Sequence, residues 1–359
     1  MNARSGWYRA LRAAGRWAPL AVLVLAAACA GERAAPAPGP AAASPSVTPA
    51  TAGGAATMTI TIGYPVLSAT YLQHFIGQEQ GFWQAEGLAI EPALTNGVPA
   101  IVQAVVGGSY QLGSVSADVG ISAVEQGADV VYVAGELRQA VFSVMAQPEI
   151  HAFTDVRGGK VIGAASVRGG TSTLLRALFT QHGLKEGDDY SLVAAGSTTE
   201  RVAALRSRAI DAGLFAQPHD FMMRDEGFTL LATTQDAFPH YAMSALLARR
   251  DWARGNDDVL VRALRAHIRS LRWLYDPANK EAFIDALVRH TRTDERYARR
   301  TYELLIEQYQ TFAKDGALTP EPFEGAMKLM LDAGDLRASL PPERYLDRTW
   351  WERAISSLP

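Results

Sequence analysis

Short runs of glycine and hydroxyl residues stand where predicted strands lead into predicted helices, and their chemistry suits anion binding. The sharpest run is Gly169-Gly170-Thr171-Ser172. Two glycines let the backbone approach a ligand closely, and two hydroxyl groups can donate hydrogen bonds. The first N–H groups of a helix have no partner within it and carry partial positive charge, so such a start can hold an anion without a cationic side chain. An ordinary capped helix that begins with two glycines is the alternative interpretation.

The same chemistry is available at other strand-to-helix junctions of the chain. Because ligands of open α/β sheets bind beyond the carboxyl ends of the strands, we expect these junctions to line one site. Tyr64 and Tyr71 could stack on an aromatic ligand, and Glu136 and Arg138 are expected to border the site or to form a surface salt bridge. The predicted ligand-binding residues are Ser68, Ala69, Thr70, Asn96, Gly97, Ser114, Ser116, Gly169, Gly170, Thr171, Ser172 and Gln217.

Motifs for catalysis or metal binding are missing from the sequence. It contains no G-x-S-x-G elbow, no H-E-x-x-H pair and no P-loop. The histidines are scattered without ligand spacing, at His74, His151, His182, His219, His240, His267 and His290. We therefore expect no enzymatic activity, no metal ion and no cofactor.

Residues 1–28 have the pattern of a secretory signal peptide. Four arginines lie within the first 16 residues, and an apolar run from Trp17 ends in Ala26-Ala27-Ala28 directly before Cys29, the one cysteine of the chain. A charged start, a short apolar stretch and small residues at the exit define such a signal. The placement of the cysteine resembles a bacterial lipobox, so we expect lipidation of Cys29 and a membrane anchor. Ordinary cleavage that leaves a free thiol is the alternative.

Residues 29–57 are predicted to be a disordered tether. The segment is rich in Ala, Pro, Gly, Ser and Thr and contains five prolines. Because it has almost no large apolar side chains, it cannot bury enough surface to fold. The globular body is therefore expected to begin near Met58.

The charge balance excludes some partners. The chain has 34 Lys+Arg and 37 Asp+Glu, and without the four arginines of the signal the balance is 30 against 37, or −7. A mildly acidic body does not suit nucleic acid or an anionic membrane surface as its main partner.

From Met58 onward, strand-like and helix-like segments alternate, which predicts an α/β fold with largely parallel sheets. A second cycle with the same order of elements begins after Pro148, so two similar lobes are expected. The chain then changes to long helices, predicted over residues 257–275, 279–292, 294–312 and 321–333.

Four short segments occur in a characteristic order: residues 81–88 (GFWQAEGL), 105–113 (VVGGSYQLG), 156–163 (VRGGKVIG) and 201–212 (RVAALRSRAIDA). Together they resemble the nitrate/sulfonate/taurine-type substrate-binding proteins of ABC transporters. That family also includes binders of thiamine-pyrimidine precursors. The order and spacing of the resemblance hold from about residue 58 to residue 227.

The resemblance implies the type II periplasmic binding protein fold, an α/β architecture of two lobes that enclose a ligand. Two crossing strands would form the hinge, near residues 142–147 and 240–246. Lobe 1 would comprise residues 58–141 and 245–359, with a helical C-terminal tail packed on it, and lobe 2 residues 142–244. The family further implies a monomer outside the cytoplasm that delivers a small molecule to an ABC permease in the membrane.

Two ligand classes fit the sequence. The helix starts and neutral hydroxyls favour a small anion, such as an aliphatic sulfonate, nitrate or a related organic acid. A pyrimidine or thiamine precursor stacked on Tyr64 or Tyr71 is the alternative. Two other roles exist for this fold: a ligand-loaded partner of a membrane sensor, and a pyrimidine-precursor synthase, whose cysteine-rich segment this chain lacks.

Overall fold

The computed structural model describes residues 58–359. The predicted signal peptide, the tether and Cys29 lie outside the described residues. Within residues 58–359, no helix is both long and apolar enough to cross a membrane.

Ten strands form in the described part of the chain, and they follow the apolar patterns of the sequence. In β1, for example, the β-branched residues Ile60 and Ile62 are fully buried, whereas Thr59 is exposed. The strands are β1 (Met58–Tyr64), β2 (Leu88–Leu94), β3 (Leu112–Val115), β4 (Val130–Leu137), β5 (Ser143–Ala146), β6 (Lys160–Ala164), β7 (Tyr190–Ala194), β8 (Ala212–Phe215), β9 (Thr229–Thr233) and β10 (Ser244–Arg249).

The helices of the two lobes alternate with these strands, and the tail consists of helices joined by loops. The lobe helices are α1 (Leu72–Glu79), α2 (Phe82–Ala85), α3 (Val98–Val106), α4 (Ala117–Glu125), α5 (Thr171–Gln181), α6 (Thr198–Arg206), α7 (His219–Asp225) and α8 (Thr234–Ala237). The tail contains α9 (Arg250–Gly255), α10 (Asp257–Tyr275), α11 (Lys280–Thr291), α12 (Glu295–Tyr302), α13 (Glu321–Asp332) and α14 (Thr349–Ser356).

Two of the predicted tail helices show what periodicity can and cannot determine. Helix α10 has the predicted bounds, 257–275, because its apolar face is continuous over its whole length. The predicted helix 294–312 is shorter: α12 passes into a π-helical turn, Glu303–Gln308, and the chain leaves the helix at Gln310, whose φ is 46°. Its carbonyl oxygen accepts a hydrogen bond from the Arg138 side chain.

The two predicted lobes are confirmed, and each has a five-stranded sheet at its core. In lobe 1 the strand order is β2-β1-β3-β10-β4, and in lobe 2 it is β7-β6-β8-β5-β9. Each sheet is parallel except for one inserted strand, β10 in the first and β5 in the second. The chain crosses between the lobes at residues 138–142 and 238–243, and each crossing leads directly into the inserted antiparallel strand.

The helical tail packs on lobe 1 and also reaches lobe 2. Helix α10 lies against α1 and α2, whereas α13 contacts both α4 of lobe 1 and α5 of lobe 2. Helix α12 contacts lobe 2 as well, because the Tyr297 hydroxyl donates to Asp225 of α7 at 2.9 Å. The tail therefore bridges the lobes at two places in addition to the crossings.

Gly325 allows α13 to sit directly on the second crossing segment. A Cβ atom at this position would lie 1.9 Å from the backbone oxygen of His240. We expect Gly325→Ala to lower the free energy of unfolding by about 1–3 kcal/mol, because the helix must move away from the crossing. Chemical denaturation measures this. Gly255→Ala is the matched control, since a Cβ there meets nothing within 4 Å and should leave stability unchanged or slightly raised.

Candidate ligand-binding cleft

A small cavity lies between the two lobes, beyond the carboxyl ends of their parallel strands. Its volume is about 90 Å³. Since one water needs roughly 10–15 Å³ measured in this way, the cavity has room for a small solute. Its walls are formed by Pro65, Val66, Thr70, Tyr71, Asn96, Gly97, Val98, Pro99, Val119, Phe142, Ala165, Ser166, Arg168, Gly169, Gly170, Thr171, Gly196, Ser197, Thr198, Arg201, Ala216 and Met243.

Half of the twelve predicted ligand-binding residues line this cavity: Thr70, Asn96, Gly97, Gly169, Gly170 and Thr171. They come from the segment before α1 and from the starts of α3 and α5. Backbone geometry explains three of them, because Gly97, Gly169 and Gly170 have positive φ values of 88°, 75° and 54°. Glycine adopts such a conformation without strain.

The other six predicted residues do not line the cavity. Ser68 and Ala69 are buried beside Thr70, and the Ser172 hydroxyl donates to the backbone oxygen of Gly169. The Ser114 hydroxyl points into lobe 1, and the Gln217 amide donates to Asp220 within lobe 2. Ser116 is buried, and its hydroxyl oxygen has no hydrogen-bond partner among the described residues.

The carboxylate of Asp118 lies at the start of α5, the helix start that the sequence favours most as an anion-binding site. This residue belongs to the first turn of α4 in lobe 1 and is 2% exposed. Its carboxylate accepts a hydrogen bond from the N–H of Gly170 at 2.5 Å and from the hydroxyl of Thr173 at 3.0 Å, both in lobe 2. The protein therefore places its own anion at the start of α5, and this contact joins the two lobes across the cleft.

Arg201 is a buried, charged residue of the cavity wall that the sequence analysis does not select. It lies in the second turn of α6, whose start is capped by Ser197 and Glu200, and it is 2% exposed. Its guanidinium donates to the backbone oxygens of Leu214 and Gly196 and to the hydroxyl of Thr198. None of these acceptors carries a charge. Within residues 58–359, no carboxylate lies within 4.0 Å of the guanidinium.

The Arg201 guanidinium stays charged despite its burial. Loss of solvent lowers its pKa to about 10, and the negative charge of nearby Glu200 opposes this shift. A guanidinium has five N–H donors, and three of them have acceptors, so two are left without an acceptor among residues 58–359. The cleft thus contains a buried positive charge with free hydrogen-bond donors.

Glu136 does not border the cleft, contrary to the expectation from the sequence. Its carboxylate is fully buried inside lobe 1, because strand β4 directs this side chain toward His74 of α1 and Ser114 of β3. Arg138 does not form the predicted salt bridge with it, and instead binds the backbone oxygens of Tyr309 and Gln310.

Comparisons with known proteins agree with this architecture. The family model of the NMT1-like family matches residues 53–288. A binding protein of Brucella abortus is 26% identical over 281 residues, which cover 75% of this chain and 84% of that protein. Its name gives no ligand.

Two solved structures share the fold. One is a ligand-binding component of an ABC-type import system from Staphylococcus aureus, solved with zinc bound. Its TM-score to this chain is 0.69 at 16% sequence identity, and the alignment covers 83% of this chain and 99% of that protein. The other is the alkanesulfonate-binding protein from Xanthomonas axonopodis, bound to MOPS. Its TM-score is 0.67 at 16% sequence identity, and the alignment covers 82% of this chain and 100% of that protein. The chain therefore belongs to the NMT1-like family, and it has the two-lobed fold of the substrate-binding proteins of ABC-type importers.

Proposed function

We propose that this protein captures a small organic anion between its lobes, outside the cytoplasm, and delivers it to an ABC permease. The guanidinium of Arg201 in the cavity wall, which has no carboxylate partner among residues 58–359, is the observation that carries this proposal. A buried charge without a partner costs several kcal/mol, so a protein that keeps one needs a counter-ion in its working state. A bound anion supplies that counter-ion.

The remaining walls suit the organic part of such a ligand. Phe142, Met243 and Pro65 are apolar, and the ring of Tyr71 lies beside them. An alkyl or ring group buried against them gains roughly 25 cal/mol for each Å² of apolar surface removed from water. This favours a sulfonate or carboxylate with an apolar body over nitrate. The alkanesulfonate-binding relative, with its bound sulfonate buffer, supports the same class.

A heteroaromatic ligand has less support from the cleft. Tyr71 lines the cavity, but Tyr64 does not, and its ring packs against Tyr71 and edge-on against Phe75 within lobe 1. A neutral pyrimidine would also leave the Arg201 charge without a counter-ion. The role of a ligand-loaded sensor partner uses the same cleft and differs only in the membrane protein that the closed form contacts.

A thermal-shift panel tests the ligand class. The protein is mixed with alkanesulfonates, carboxylates, nitrate and a pyrimidine precursor, and each sulfonate is paired with the alcohol of the same chain length. At 100 times its dissociation constant, a ligand should stabilise the fold by about 2.7 kcal/mol. We expect a shift with an organic anion and none with the matched alcohol. A shift with the pyrimidine alone would refute the anion proposal.

Lipidation of Cys29 is the proposed means of holding the protein at the membrane. Replacement of Cys29 by serine removes the thiol that would carry the lipid, while the predicted signal stays intact. We expect the wild-type protein in the membrane fraction and the Cys29→Ser protein in the soluble fraction after cell fractionation. A wild-type protein that is already soluble would contradict the anchor.

A further inference from the structure

A polar cluster lies inside lobe 1, outside the cavity walls. It joins His74 of α1, Glu136 of β4 and His267 of α10, which are at most 1% exposed. One nitrogen or oxygen atom from each lies within 4.8 Å of the other two. The three residues are separated by 62 and 131 positions along the chain, so no local sequence motif identifies them.

The hydrogen bonds of this cluster are unevenly distributed. One oxygen of Glu136, Oε1, faces the Nε2 atom of His74 at 3.1 Å and accepts from the hydroxyl of Ser114 at 3.1 Å and the amide of Gln73 at 3.2 Å. The second oxygen of Glu136, the Nδ1 atom of His74 and the Oε1 atom of Gln73 are buried and have no partner among the described residues. Buried polar atoms without a partner are rare in folded proteins, so the described side chains do not satisfy this cluster by themselves.

The geometry is close to that of a metal site. A zinc ion binds imidazole nitrogen and carboxylate oxygen at about 2.0–2.2 Å, which sets tetrahedral ligand atoms roughly 3.4 Å apart. The 3.1 Å between His74 Nε2 and Glu136 Oε1 is near that value. The third ligand atom is within 4.8 Å, so a side-chain shift of about 1–1.5 Å would complete the set.

The two ring nitrogens of His267 also suit a role as a metal ligand. His267 Nε2 lies 3.2 Å from the backbone oxygen of Gly135, and this contact leaves Nδ1 available. A backbone carbonyl that accepts the other N–H of a ligating histidine is common in metal sites.

We propose that His74, Glu136 and His267 bind one divalent transition-metal ion of the zinc class inside lobe 1. Two imidazoles and one carboxylate match the ligand preference of zinc, and the Ser114 hydroxyl or a water would supply the fourth position. The ion would tie α1 to β4 and to the tail helix α10. His74 lies one helical turn after Tyr71, so the ion would also hold the part of lobe 1 that forms one wall of the cavity.

The test measures metal in tag-free protein. We expect about one equivalent of zinc per chain by inductively coupled plasma mass spectrometry, retained during dialysis against a weak chelator. Unfolding with a strong chelator and refolding without metal should lower the melting temperature, and zinc should restore it. Refolding with cobalt should give the visible absorption of a tetrahedral site.

Variants locate the ion. His267→Gln and Glu136→Gln should each lose the bound zinc and the cobalt absorption. His290→Gln, a change at a partly exposed histidine that pairs with Glu79, should retain both. Wild-type protein with no metal, no cobalt absorption and no stabilisation by zinc would overturn the proposal, and so would zinc retained by the His267→Gln/Glu136→Gln double variant. These readouts do not involve the cleft, so they are independent of the proposed anion binding.

Discussion

Arg201→Met is expected to weaken binding of the organic anion by at least about 30-fold. The guanidinium is the buried positive charge of the cavity, and loss of one member of a buried charge pair costs about 2–5 kcal/mol of binding free energy. Some loss of stability is expected as well, because the backbone oxygens of Leu214 and Gly196 lose a donor, although the cost of desolvating the charge disappears with the guanidinium. Isothermal titration calorimetry measures the affinity, and circular dichroism checks the fold.

Two variants make this result specific. Arg201→Lys keeps the charge but loses the planar fork of donors, so an intermediate affinity is expected. Arg206→Met alters an arginine of the same helix whose side chain is 46% exposed and paired with Glu226, and it should bind like the wild type. Wild-type affinity in Arg201→Met would show that the ligand does not meet this charge, and the anion proposal would lose its main support.

Asp118→Ala is expected to open the cleft and to lower ligand affinity by about 10- to 100-fold, although Asp118 is not a cavity residue. Its carboxylate makes the charge-assisted contacts that join α4 to α5 across the lobes. Hydrogen bonds to a charged group contribute about 1.5–3 kcal/mol. When they are lost, less of the protein is in the closed form, and the apparent affinity falls in proportion to that fraction.

Small-angle X-ray scattering and calorimetry together test this role. The unliganded Asp118→Ala protein should have a larger radius of gyration than the wild type, and saturating ligand should reduce the difference. Thr173→Val removes one of the two donors and should have a smaller effect in the same direction. Asp251→Asn, at an exposed acid in the first turn of α9, should have no effect. An unchanged radius and affinity in Asp118→Ala would show that the contact does not hold the lobes together.

The fold was predictable to a large extent, because its signals are local. The alternation of apolar strands with capped helices indicates two α/β cycles, and the bounds of α10 follow from its periodic apolar face. The resemblance placed the tail on lobe 1, but local patterns did not show that it also reaches lobe 2. The contact of α13 with both lobes depends on Gly325 meeting the crossing segment at His240, about 85 residues away in the chain.

The candidate site was only half predictable. The helix starts at Gly97 and Gly170 can be recognised because a glycine before a helix is a backbone signal, and both line the cavity. Ser114 was predicted as a hydroxyl at a strand end, but its side chain points into lobe 1, where it contacts Glu136 and His74. The direction of a side chain at a strand end depends on its neighbours in space.

The sequence established the elements of this protein, their order and the junctions where a ligand could bind, since these follow from backbone hydrogen bonding and from the periodicity of apolar residues. The distribution of buried charge required the folded chain. Three features depend on residues far apart in sequence: Asp118 at the start of α5, Arg201 without a carboxylate partner in the described part of the chain, and His74 with Glu136 and His267. Burial makes such groups costly unless they are paired, and which partners are near enough is set by packing.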